Sequence, residues 1–273
     1  MIRDYFRFSY ESIRKRKLRS YLTMIGIFIG IAAVVSLISL GQGLQSAIDE
    51  QFKGVGSDKI IVSPGGGFGP PGASASKLTE EDKKVIERVK GVDVVAGATI
   101  KFVDVHFKSE SKYLAVMGMP LDEKEKKVLM ESAHNMKIIS GRELDSGDGS
   151  SAIVGYAFTQ KNTLFSTAAS VRDTIALDGK NFKIVGVAAK VGNPSDDGAV
   201  FIPIDVSQEM FGVTNEFDYF YVRIESGENV TKVANSIEEA MRKDRHLKVG
   251  EEDFSVQTFE SILNIFNTIF IIH

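Results

Sequence analysis

Residues 20–48 contain no charged side chain, and the residues before them are strongly basic. Residues 21–40 (YLTMIGIFIGIAAVVSLISL) form a mostly apolar run of 20 residues. As a helix this run rises about 30 Å, the hydrocarbon thickness of a bilayer. Lipid offers no hydrogen bonds, so a chain crossing it must satisfy its own backbone and is expected to be helical. The leading residues carry Arg3, Arg7, Arg14, Lys15, Arg16, Lys17 and Arg19 against Asp4 and Glu11, a net charge of +5. Clustered cations keep their flank in the cytoplasm. Arg14, Lys15, Arg16, Lys17 and Arg19 are the expected orienting group. The span is set at residues 21–44, and everything after it is extracytoplasmic. A secretory signal is the competing reading. Its apolar core is about 7–15 residues and ends at a small-residue cleavage site. The core here is longer, and Gln45-Ser46-Ala47 is a poor site.

The whole chain has net charge −3, so the part beyond the basic segment carries −8. An acidic exported body does not suit nucleic acid, which needs a basic face. With no cysteine in the chain, disulfides, zinc-thiolate sites and cysteine nucleophiles are excluded. Residues 262–272 are again uncharged and apolar. They would cover about 16 Å as a helix, half a membrane. Residues 259–273 are read as the opening of a second span. The chain is then an N-terminal fragment, and its exterior domain a loop between two membrane helices. An amphipathic or core-packing terminal helix is the alternative.

Within the exterior, Gly41 and Gly43 precede a short helical stretch at 44–52. Residues 59–63 read as a buried strand and 64–76 as a turn-rich loop. No Gly-Lys-Ser/Thr follows its three glycines, so it is not a phosphate loop. Thr79 opens a helix with Asp82 closing a capping box. Residues 92–107 are a strand in which Val103, Val105 and Phe107 alternate with polar neighbours. The same order returns as a strand at 219–225, a helix at 229–244 and a strand at 254–258. Two β-α-β units can form one sheet with both helices on one face. Residues 108–215 are an insertion, mostly strand and turn, in which 174–190 form a hairpin around Asp178-Gly179. The fold class is α+β and membrane-anchored.

The chain shows no constellation for catalysis. His106, His134, His246 and His273 stand at no metal-ligand spacing. Asp145, Asp148 and Gly149 lack the spacing and closing Glu of a calcium loop, and Asp196-Asp197 reads as a turn. No catalytic residue, metal or cofactor is expected. Gly26 and Gly30 form G-x-x-x-G, which lets two membrane helices approach closely.

The run KLRSYLTMIGIFIGIAAVVSLISLGQG followed by SDKIIVSPG resembles the N-terminal signature of the MacB/FtsX-like permease subunits of ABC transporters. LTEEDKKVIERVKGV, SGREL, IVGYAF, IALDGKNFKIVGV, FIPI and DFSVQTFESI continue the resemblance in order along the chain. One departure is Ser170-Val171-Arg172, where relatives tend to have glycine before the hairpin strand. The resemblance implies a large extracytoplasmic domain between the first two of four spans. It implies a porter-like subdomain at 45–107 and 216–258, and an inserted β-rich, sabre-like subdomain at 108–215. It further implies a cytoplasmic ABC ATPase on a separate chain, a second permease copy and, in some systems, an extracytoplasmic adaptor protein. ATP-driven closure of the ATPases would move the exterior domain, a mechanotransmission serving efflux or extraction, with membrane lipid around the spans. Residues 1–20 are expected to lie on the cytoplasmic membrane face as an amphipathic helix. Gly41, Gly43 and Gly54 are the expected hinges. The rival reading is a single-pass anchored receptor or adaptor without an ATPase.

Overall fold

The computed structural model describes residues 17–53, 59–65, 76–133, 136–258 and 261. The chain divides into two compact units, Met1–Gln51 and Phe52–His273.

The described part of the first unit is helical. Helix α1 (Lys17–Lys53) has 37 residues and a length of about 55 Å. Its segment Tyr21–Gly43 is long and apolar enough to cross a membrane, and its large apolar side chains are exposed. The helix differs from the sequence reading in two ways. It does not stop at residue 44, and Gly41 and Gly43 do not separate it from a second helix. A glycine costs a helix about 1 kcal/mol, which neighbours such as Leu40, Gln42 and Leu44 offset. Most of the expected basic helix, residues 1–16, lies outside the described residues, as do Arg14, Lys15, Arg16 and Gly54. Lys17 and Arg19 belong to α1.

The second unit runs in chain order as β1 (Lys59–Pro64), β2 (Leu78–Thr79), α2 (Glu80–Glu87), β3 (Val92–Phe107), β4 (Glu110–Met119) and α3 (Glu123–Ala133). There follow β5 (Ile138–Gly141), β6 (Ser151–Val154), a 3-10 turn (Tyr156–Thr159), β7 (Thr174–Leu177), β8 (Lys180–Ala188), α4 (Pro194–Asp197), β9 (Val200–Pro203) and α5 (Ile204–Phe211). The chain closes with β10 (Glu216–Phe217), β11 (Tyr219–Ile224), α6 (Val230–Asp244) and β12 (Phe254–Thr258).

The two β-α-β units interleave. Strands stand in the order β12-β1-β11-β3, every neighbour antiparallel. This is the split β-α-β arrangement of ferredoxin-like sheets. Helices α2 and α6 share one face, as the repeated pattern predicts. Ile86, Val233, Ile237 and Met241 pack there against Ile60, Val62 and Phe220. Helix α2 begins at the expected capping box. The Thr79 backbone N–H donates to Asp82 Oδ2 at 2.7 Å, and the Asp82 N–H returns to Thr79 Oγ1. On the opposite face α3 sets Val128 and Leu129 over Ala96, Ala98 and Tyr221.

The insertion closes a barrel together with the second half of β3. Each of β3, β4, β9, β6, β8 and β7 pairs with the next, and β7 returns to β3. The interior is filled by Val105, Phe107, Phe158, Phe182, Ile184 and Ile202 among others. Closure leaves the ring without a free edge. Asp178 and Gly179 both take positive φ, 47° and 80°, as a two-residue type I′ hairpin turn requires. Helices α3, α4 and α5 interrupt what the sequence reading treats as mostly strand and turn.

Strand β3 serves both halves. Residues 92–98 pair with β11 and residues 99–107 with β4. Between 92 and 98 the strand has, among the described residues, a strand partner on one side only. There Lys83 of α2 and Glu125 of α3, helices on opposite faces, meet at 2.7 Å around the edge. Burial raises the Glu125 carboxyl. For Lys83 burial is the largest single influence and works against its charge, but the bond to Glu125 together with the charges of Glu125, Glu80 and Glu87 leaves it raised.

Candidate functional site

The geometry that stands out among the described residues of the second unit is mechanical: where the chain enters and leaves, and what those points are fastened to. Strand β1 starts at Lys59, soon after α1, and β12 ends at Thr258, just before the C-terminal run. The two strands are neighbours, with Ile60 opposite Thr258. Entry and exit therefore lie side by side at one end of one sheet. At the exit, Thr258 Oγ1 accepts the Ser261 N–H at 3.1 Å. That is the geometry of a helix N-cap.

The far end of β12 is fastened by Arg245, which follows the last residue of α6. Its Nε and Nη2 donate to the two carboxylate oxygens of Asp82 at 2.9 and 2.7 Å. Nη1 donates to Asp253 Oδ1 at 2.7 Å, and Nη2 also donates to the Lys77 carbonyl. The guanidinium stands 5.6 Å from the centre of the Phe254 ring. The Asp253 carbonyl accepts both the Gly65 N–H and Ser76 Oγ at 2.5 Å. One arginine thus ties the α2 cap, the end of α6 and the start of β12 together, while Asp253 adds the residue after β1. Bonds to Asp82 hold the Arg245 charge more firmly than usual, against the cost of its partial burial.

Sheet and barrel meet at Thr99, where a second set of contacts removes slack. Thr99 Oγ1 and Ser207 Oγ are 2.7 Å apart and buried. Asp218 accepts the Ile100 N–H at 2.8 Å and an ion pair from Lys101 at 3.3 Å. Gly118 is enclosed so tightly that a Cβ there would lie 2.8 Å from Ser207 Cβ and nearer still to Thr99 Oγ1.

Residues 20–240 match the model of the MacB-like periplasmic core domain. The chain belongs to that family. The ABC transporter permease MJ1507 of Methanocaldococcus jannaschii is 33% identical over 259 residues, which is 95% of this chain and 62% of that one. The macrolide export ATP-binding/permease protein MacB of Chlorobaculum tepidum is 28% identical over 90% of this chain and 38% of its own. The chain thus spans less than two thirds of the curated relatives it matches. In fold it is similar to the periplasmic region of MacB from Actinobacillus actinomycetemcomitans, with TM-score 0.63 at 16% identity over 81% of this chain and 98% of that one. It is also similar to the extracellular domain of the transporter YknZ, with TM-score 0.56 over 73% of this chain and 100% of that one. The second unit is a MacB-like extracytoplasmic domain of an ABC transporter permease, preceded by an apolar helix suited to a membrane.

Gly26, Gly30, Gly41 and Gly43 all lie inside α1, with open space where a Cβ would sit. Asp148 belongs to a loop staple. Arg142 donates to both of its oxygens, and Asp145 N–H and Ser151 Oγ add to these. The Arg142 bonds hold its carboxyl far below the usual range. Asp197 accepts the N–H groups of Val191 and Gly192. His106 is exposed on β3. Among the described residues no three His, Cys, Asp or Glu stand together for a metal. Sequence reasoning passed over Arg245 and Asp253. The one signal available was Asp82, read only as a cap.

Proposed function

We propose that this chain belongs to a permease subunit of a MacB-type ABC transporter and acts as its mechanical transmitter. ATP hydrolysis by a separate cytoplasmic ABC ATPase shifts the membrane helices, and the extracytoplasmic domain moves to drive efflux or extraction of a substrate. The N-terminus is cytoplasmic, held by Arg14, Lys15, Arg16, Lys17 and Arg19. Two permease copies pair, with Gly26 and Gly30 allowing α1 a close approach to its counterpart. Membrane lipid surrounds the spans, and an extracytoplasmic adaptor protein is a further partner. Porter-like segments at 45–107 and 216–258 carry a sabre-like insertion at 108–215. Gly41, Gly43 and Gly54 give way when the membrane helices shift.

The observation that carries this reading is the pairing of Ile60 with Thr258. With entry and exit on adjacent strands, a shared displacement of both tethers moves the sheet as one body. Long β3 then carries the motion to the barrel over a rise of about 50 Å. The test uses Ser109, at the turn between β3 and β4, in a chain with no native cysteine. Spin labels at S109C in both copies of the full transporter, in nanodiscs with its ATPase, should change their separation between nucleotide-free and vanadate-trapped states. An unchanged distance distribution in a complex that still hydrolyses ATP would sink the proposal.

A further inference from the structure

We infer that Arg245 and Asp253 clamp the exit strand β12, and that both are positioning residues for coupling. The inference rests on the transport reading above. Among the described residues β12 is the outermost strand of its sheet, bonded to β1 through five residue pairs. So short a pairing is marginal by itself. Its Thr258 end is where the chain leaves, and any displacement of the exit tether arrives there first. If β12 could peel away, the displacement would be spent breaking those pairs and the rest of the domain would stay still.

The opposite end is built against peeling. Asp253 is bound at its carboxylate by Arg245 and at its carbonyl by Gly65 and Ser76. Gly65 has no room for a side chain, since a Cβ would stand 2.7 Å from that carbonyl oxygen. The close approach of β1's end to β12's start thus requires glycine. Arg245 passes the attachment to α2 through its two-pronged bond to Asp82. Planar guanidinium against planar carboxylate fixes direction as well as distance. A second latch lies beside it, where Arg242 of α6 donates to Glu252 Oε1 at 2.6 Å. These bonds share any pull on β12 among both helices and β1, so the domain turns as a body.

Asp253→Asn is the informative variant, because it removes one charge and leaves the Asp82–Arg245 and Arg242–Glu252 bonds in place. It is measured in the full transporter with its ATPase in nanodiscs. Hydrogen exchange of the peptide covering residues 254–258 should quicken about five- to tenfold, with the thermal midpoint and ATP hydrolysis near wild type. The ATP-driven change in the S109C separation should shrink to less than half. Asp253→Glu, which keeps the charge, should restore both. Unchanged β12 exchange in the Asn variant overturns the clamp. Faster exchange with a full-sized movement overturns its role in coupling. If the wild type itself shows no movement, the transport reading and the coupling role fall with it, while the exchange data still decide whether the clamp exists.

Discussion

Arg172 sits with φ at +83°, in backbone territory that suits glycine. An L-residue there meets its own following carbonyl through Cβ, at a cost of about 1–2 kcal/mol. The position is fixed by structure on both sides: the Arg172 N–H donates to the Ile184 carbonyl at 2.8 Å, and the Ile184 N–H to the Asp173 carbonyl at 2.8 Å. Its side chain is exposed. Arg172→Gly should release the strain while returning about 0.4–1 kcal/mol to the unfolded chain as added freedom. The net gain is about 0.5–1 kcal/mol, a thermal midpoint higher by about 1–4 °C for a unit of this size. Differential scanning fluorimetry and urea unfolding of the detergent-solubilised chain would measure it. Arg172→Ala supplies the control, because it removes the side chain and keeps the Cβ, so no gain is expected. If the alanine variant gains as much as the glycine variant, or glycine destabilises, the strain argument is wrong.

Gly118→Ala should cost about 1–3 kcal/mol by forcing a methyl group into Thr99 and Ser207, read as a lower urea midpoint at unchanged slope. Asp148 has a depressed carboxyl relative to its ordinary value of 3.8, so its contribution is complete above that value and drains away as pH falls below it. Since Arg142 is 55% exposed, the contribution is discounted to about 1 kcal/mol; Asp148→Asn should flatten the acid limb of a stability–pH curve below pH 4 and leave the limb above pH 7 unchanged in shape. Lys83→Ala should uncover the edge of β3 and raise exchange of the amides at 92–98 several-fold, with the barrel amides unmoved. Replacing Gly26 and Gly30 together by leucine should weaken association of the membrane helix in a bilayer dimerisation assay, and equal association would remove those glycines from the interface.

Much of the ferredoxin-like half was legible because local signals agree there. Residues 103–107 alternate cleanly, 230–244 carry Val233, Ile237 and Met241 on one stripe with Asn229 as cap, and Thr79 announces α2. The hairpin around Asp178-Gly179 was equally plain. Barrel closure was not, since it depends on β4–β9 and β6–β8 pairing in parallel between segments far apart in the chain. Helix α3 hides in a charged sequence with little apolar signal, although Asp122 caps it by accepting the N–H groups of Lys124 and Glu125. Continuity of α1 through Gly41 and Gly43 was missed by giving glycine the weight of a stop. The Arg245 assembly joins residues 163 apart, and no local spacing announces such a contact.

The shared strand β3 also fixes what lengths evolution or engineering can sample. Its odd positions, Val95 and then Val103, Val105 and Phe107, face the helix-covered core and the barrel interior in turn, while Val94, Ala96 and Ala98 face α3. Side chains alternate with a period of two. A single codon inserted or deleted near residue 98 would therefore turn one whole core outward, whereas a two-codon change would preserve the parity of both. The barrel is not a cassette that can be lifted out at a linker. Homologous inserts should exchange cleanly only when the cut strand is rejoined with its odd–even phase intact.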